Sequence, residues 1–295
     1  MKRRPLTLIG ANATWRGLLL DVPAPVVPAL RVEVAAGRRL RIVQGDRTLL
    51  WARVAADHYG VDVRFDAPVA SVLPPSSALS ARRLAGSSGG TSMERWAHRY
   101  LDLLVAGAHP LHRGYWVVEE VTERLGRHPA LIEALARDPG AGVGSAWVEW
   151  DIGEPPGILP LRPMSPLDSG RVKALTKLAR DDSLPPVLLW WVGGLQSYVI
   201  LDGHDRLLAG VEAGVATPML ALSGVLAFAD AREAARRSDV DEQRFLDAFL
   251  REQPDESLLH EALATSVLRA IARQEAVPRT RAWFSRVSPS AWPLE

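Results

Sequence analysis

The stretch from Pro185 to Gly214 constrains the fold more tightly than any other part of the chain. Pro185-Pro186 stops whatever helix precedes it. Val187 to Val192 is an apolar run of strand length, Gly193-Gly194 reads as a two-residue hairpin turn, and Ser197 to Leu201 is the return strand. Asp202-Gly203 then turns the chain into a helix from His204 to Ala213, which Gly214 ends. Trp190 and Trp191 are adjacent on one strand, so they point to opposite faces, and core is the expectation for both. A helix over Arg171–Ala179, capped by Asp168 or Ser169, leads into the hairpin, and Thr217–Leu222 follows as a further strand.

The strand-to-helix corner also carries chemistry. The first backbone N–H groups of a helix have no partner within it, and the macrodipole places about half a positive charge there. Gly203 lets a ligand approach the backbone, and Arg206 adds a planar fork suited to phosphate or carboxylate. Asp202, Gly203, His204 and Arg206 are therefore the candidate ligand-binding residues. His204 is a candidate acid or base, and Asp205 can orient it or hold magnesium; these two are the candidate catalytic residues. No protein-bound metal site is expected. The same residues support a structural reading, with Asp202 as N-cap, Asp205 as the acid of a capping box and Arg206 paired to a nearby carboxylate.

Composition narrows the remaining choices. With 47% apolar and 23% charged residues, the 295-residue chain can bury a sizeable core. Lys+Arg 35 against Asp+Glu 34 gives a net charge of +1, which argues against a protein that works mainly by neutralising nucleic-acid phosphate. There is no cysteine, so disulfides, thiolate metal sites and cysteine nucleophiles are excluded. The basic start Met1-Lys2-Arg3-Arg4 is followed by too short an apolar stretch for a signal peptide, and the longest apolar run is broken by Pro and Gly; a cytoplasmic location without membrane contact is expected.

The rest of the chain divides by pattern. Alternating runs at Leu30–Val34, Leu40–Val43, Thr48–Trp51 and Val61–Phe65 make residues 1–75 a β-rich module. Ser76 to Ser92 reads as a linker. Residues 93–140 read as helical, with helices around Trp96–Leu104, over Val117–Leu125 and over Ala130–Arg137. Trp147–Trp150 suggests a strand, Gly153–Pro166 an extended lead-in, and 228–285 a tail of amphipathic helices.

From Ile158 to Leu222 the order of parts resembles the ParB/sulfiredoxin superfamily. The lead-in is Ile158-Leu159-Pro160-Leu161-Arg162-Pro163, the helix Arg171–Ala179 follows, then the two strands, and the helix start is Asp202-Gly203-His204-Asp205-Arg206-Leu207-Leu208-Ala209. The resemblance implies an α+β fold with a ParB/sulfiredoxin-like α/β domain over 147–224. It also implies a nucleotide, ATP or CTP with magnesium, or another phosphorylated small molecule, held by Gly203, the next amides and Arg206. The sequence departs from the pattern in two places. His204 stands where sulfiredoxins carry cysteine, which removes sulfinic acid reduction. His204-Asp205-Arg206 replaces the Glu-Arg-Arg of partition proteins, putting an acid where a cation would help. A phosphoryl-transfer reading needs a carboxylate base, for which Glu149, Asp151 and Glu154 are candidates.

Two other signals compete. Val118–Gly126 with Ala130–Leu135 resembles a helix-turn-helix, so a DNA-associated regulator using Arg124 and Arg127 is the alternative function; a plain helical hairpin fits the same residues. His109 and His112 are three apart in a loop and give too few ligands for a metal. A third function is a non-catalytic interaction protein that keeps the fold with a vestigial pocket.

Overall fold

The computed structural model describes residues 1–8, 14–23, 27–55, 60–66, 72–74, 84, 92–107, 109–126, 144–150, 156–225, 280–288 and 291–293. In chain order they form β1 (Lys2–Leu8), β2 (Thr14–Val22), β3 (Leu30–Ala35), β4 (Arg39–Gln44), β5 (Arg47–Val54), β6 (Gly60–Phe65), α1 (Ser92–Ala106), β7 (Gly114–Glu120), α2 (Thr122–Gly126), β8 (Ser145–Glu149), β9 (Gly157–Pro160), α3 (Gly170–Arg180), β10 (Val187–Val192), β11 (Ser197–Asp202), α4 (His204–Ala213), β12 (Met219–Val225) and β13 (Ala282–Phe284). The chain is a mixed α and β protein. Among the described residues, no helix is long and apolar enough to cross a membrane.

Two sheets carry the architecture. Seven strands run in the order β1-β2-β7-β12-β10-β11-β9, and six in the order β13-β3-β4-β5-β6-β8. β10 and β11 are a hairpin; α4 then carries the chain across to β12, which lies parallel to β10. Every residue of β10 and β11 is buried, because the seven-stranded sheet has core on both faces. Trp190 belongs to the cluster that joins Leu18, Trp116 and Leu220 to Val32, Ile42 and Leu50 of the other sheet and to Tyr100 of α1. Trp191 points the other way, into the cluster with Leu189, Tyr198, Ile200 and Leu207 of α4. Adjacent bulky residues on one strand thus serve two cores, as strand alternation requires.

Several expectations need correction. The helix expected over Val117–Leu125 is strand in its first half: β7 runs to Glu120, and only the single turn of α2 is helical. Tyr115-Trp116-Val117-Val118 is aromatic and β-branched, and β7 pairs with β2 on one side and β12 on the other, so ladder and burial override the helical spacing. The first helix of the helix-turn-helix is therefore reduced to the one turn of α2; its second, Ala130–Leu135, lies outside the described residues. The strands of the β-rich residues 1–75 divide between the two sheets: β1 and β2 pair into the seven-stranded sheet and β3 to β6 into the other. The turn after β10 is a 3-10 turn over Gly193–Leu195 closed by Gln196 at φ 49°, two residues longer than a Gly-Gly hairpin. Within the tail read as helical, Ala282–Phe284 is a strand beside β3, and 226–279 lie outside the described residues. Most of the 76–92 linker lies outside them too. Ser169 caps α3 as expected, its hydroxyl accepting from Val172 N–H at 3.2 Å.

Candidate functional site

The corner between β11 and α4 brings Asp202, Gly203, His204, Asp205 and Arg206 together, and every one of them is buried. Gly203 sits at φ 104°, in the left-handed region that favours glycine. Its carbonyl accepts from the N–H groups of Arg206 and Leu207 at 2.9 and 3.0 Å, which starts the helix. A Cβ at this glycine would lie 2.8 Å from Arg206 Nη2 and 3.0 Å from Val187 Cα. The guanidinium is therefore laid over the glycine, in the space above the helix start.

Arg206 is turned inward. Its Nη2 donates to Asp202 Oδ2 at 2.6 Å, with both side chains buried. The Tyr100 ring of α1 lies 6.0 Å from the guanidinium carbon, and the Tyr100 hydroxyl donates to the Pro186 carbonyl. Burial works against the Arg206 charge, yet Tyr100 and Asp202 together hold its pKa above the ordinary value. Burial pushes the Tyr100 phenol well up. Arg206 Nε is buried without a hydrogen-bond partner.

His204 and Asp205 are held by the segment that precedes α3. Leu161 N–H donates to His204 Nε2 at 3.2 Å, which places the ring proton on Nδ1 in the neutral imidazole. Burial, reinforced by Arg162 and Arg206, drives the His204 pKa well below 6.5. The ring is neutral, with its acceptor nitrogen already used, so it lacks the charge state of an acid and the free lone pair of a base. Asp205 Oδ1 accepts from Ser165 N–H at 2.9 Å and Oδ2 from Arg171 Nε at 2.6 Å, with Arg162 Nη2 3.5 Å away. Burial alone would raise its pKa, but Ser165, Arg162 and Arg171 bring it below 3.8. Both Asp205 oxygens are thus engaged by donors. Magnesium, which asks for oxygen ligands in an octahedron, finds no carboxylate oxygen of Asp205 without a partner.

The other candidates do not join this corner. Glu149 is on β8, at an exposed position of the six-stranded sheet, and Asp151 and Glu154 lie outside the described residues. Arg124 donates to Glu119 Oε1 at 3.0 Å and to the Tyr198 hydroxyl at 2.6 Å, tying α2 to β7 and β11. Burial dominates at both partners, pushing the Glu119 carboxyl up and the Tyr198 phenol to about 12. Arg127 lies outside the described residues. His112 meets the Trp116 ring at a tilt, with centroids 4.9 Å apart, and the Trp283 ring edge-on at 5.9 Å. Among the described residues no cluster of three His, Asp or Glu could hold a metal ion.

The residues that sequence reading missed are the ones that close the corner: Tyr100, Arg162, Ser165 and Arg171. The only signal for them was the basic pair Arg162 and Arg171 flanking the proline-rich lead-in. No protein-family model, curated protein or solved structure matches the chain.

Proposed function

We propose that the protein is a non-catalytic interaction protein in which residues 147–224, the ParB/sulfiredoxin-like unit, keep the strand-to-helix corner as a structural joint rather than a ligand cradle. One observation carries this reading: the Arg206 guanidinium is buried over Gly203 and paired with Asp202 at 2.6 Å. A phosphate seated on the α4 amides would need that volume, and removing the arginine from it would strand Asp202 uncompensated in the core. The neutral, acceptor-occupied His204 and the doubly engaged Asp205 support the same conclusion. Nucleotide binding and phosphoryl transfer at residues 202–206 are the readings it replaces.

Ligand-dependent melting tests it. A ligand present at 100 times its dissociation constant adds about 2.7 kcal/mol of stability, and each kcal/mol raises the melting temperature of a chain this size by roughly 2–4 °C. Millimolar ATP, CTP, ADP or phosphoserine, each with and without magnesium, is expected to leave the melting temperature where it was. A rise of several degrees that Arg171→Ala abolishes would return the corner to the ligand-binding class.

A further inference from the structure

We propose that the outer edge of β13 is a docking strand for an extended acidic peptide segment of a partner protein. This edge belongs to the six-stranded sheet, so its test and the ligand test of the α4 corner stand or fall separately.

β13 ends one side of that sheet and, among the described residues, pairs with β3 alone. Backbone groups of successive strand residues point to opposite edges, and in a parallel pair the N–H and C=O of one residue share an edge. Ser285 N–H donates to the Val34 carbonyl at 2.8 Å, which turns the backbone of Ser285, and of Trp283 two residues back, toward β3. The backbone groups of Ala282 and Phe284 therefore face away from the sheet. An added strand finds two donors and two acceptors there, spaced as a ladder requires.

The side chains define what that strand carries. Phe284 continues the apolar row of Val34, Leu40, Ala52 and Val63 one strand past its cover. Its ring is 91% exposed, more than any other large apolar side chain among the described residues. A ring this open has almost no packing role in the folded chain, and an apolar residue on a neighbouring strand would bury it. Arg281 and Arg286 stand on either side; both are exposed, and neither has an ion-pair partner among the described residues. Glu33, the acid on the adjacent strand, is taken by Arg31 and Arg41. Charge alone guards many sheet edges against pairing. A large exposed ring at the centre of the strand works against such a guard, and for a partner whose acids meet the flanking cations.

The strand is also held ready. Thr280 Oγ1 accepts from Gly193 N–H at 2.8 Å and donates to the Trp191 carbonyl at 2.9 Å, which fixes one end. Past the other end, Ser285 Oγ accepts from Val287 N–H at 3.2 Å. Trp283 lies opposite Phe284 in the alternation, with the Arg281 guanidinium 5.4 Å from its ring. Little ordering is left to oppose binding. A second copy of β13 fits poorly, because antiparallel pairing of two such edges gathers four arginines.

The test uses the full chain and a fluorescein-labelled peptide, Thr-Glu-Thr-Val-Thr-Val-Glu-Thr, read by anisotropy. With its first Val opposite Phe284 in antiparallel register, the two Glu fall opposite Arg286 and Arg281. Binding is expected at about 50 mM salt and should weaken severalfold at about 500 mM. The peptide with Gln for both Glu should bind about threefold more weakly, or worse. Phe284→Ala should weaken binding about fivefold or more. Ala282→Pro removes an outward N–H that the ladder with β3 does not use, and should weaken binding as much. Both positions are exposed, and unchanged melting temperatures would show that the variants fold. No anisotropy change up to about 500 µM protein overturns the proposal. So does a scrambled peptide of the same composition binding as tightly, or both variants binding like the parent, since either result describes a charge contact elsewhere. A dimer that Phe284→Ala dissolves would assign the edge to a second copy and overturns it too.

Discussion

Arg206→Ala is expected to lower the unfolding free energy by about 3–5 kcal/mol, the range for breaking a buried ion pair by removing one partner. The pair is closed to water on both sides, and the loss leaves the Asp202 carboxylate buried with its 2.6 Å donor gone. The face of Tyr100 loses its cation as well. Arg206→Lys should rescue little, because a compact ammonium does not reproduce a planar fork lying over Gly203. Asp202→Ala combined with Arg206→Met should recover much of the loss, since removing both charges removes the stranded one. Urea unfolding of the four proteins measures this. An exposed ligand arginine would behave differently: its removal costs within about 0.5 kcal/mol, and an Arg206→Ala effect of that size would show that the corner opens to solvent.

That prediction rests on a pairing only half visible in the sequence. Asp202 and Arg206 are four apart at a strand-to-helix turn, and a pair between Arg206 and a nearby acid was one of the two readings the residues allowed. Nothing local decided between them. The decision comes from Tyr100, about a hundred residues upstream, and from Leu161, Ser165 and Arg171, whose backbone and side-chain donors reach α4 only because β9 lies parallel to β11. The hairpin strands β10 and β11 were legible because an unbroken apolar run of strand length between prolines and glycines admits little else. β7 was not. Val117–Leu125 reads as a helix from its own residues, while the pairing that makes its first half a strand is supplied by β2 and β12, each about a hundred residues away in sequence. The six-stranded sheet follows the same rule. Each strand shows its own period of two, but only the register aligns Arg41, Trp51 and Arg64 into a row.

The His204–Leu161 bond predicts a loss of stability in mild acid. A histidine whose folded pKa lies below its unfolded value contributes stability that is complete above the unfolded pKa and is lost as pH falls, because the unfolded chain takes up the proton first. For His204 the window opens near 6.5 and extends well down, since burial and the neighbouring guanidinium groups oppose the charge. One such group gives a slope of about 1.4 kcal/mol per pH unit inside its window. Protonation also takes the lone pair that Leu161 N–H uses, so the folded state has a second reason to refuse the proton. His109 and His112 are lowered by burial as well and add to the slope. Asp205 and Glu33 act in the same direction at lower pH, below their ordinary values of 3.8 and 4.5. Glu119 works the other way, because its raised pKa makes the protonated form the better folded one. The contribution of His204 is therefore isolated by difference, not by the total profile. His204→Gln keeps an acceptor for Leu161 and does not titrate. Between pH 7 and pH 5 its urea midpoints should fall less than those of the parent, by about the one-proton slope. Parallel profiles would mean that the imidazole at position 204 takes a proton in the folded chain as readily as in the unfolded one, and that the lead-in segment is not held at α4 by this bond.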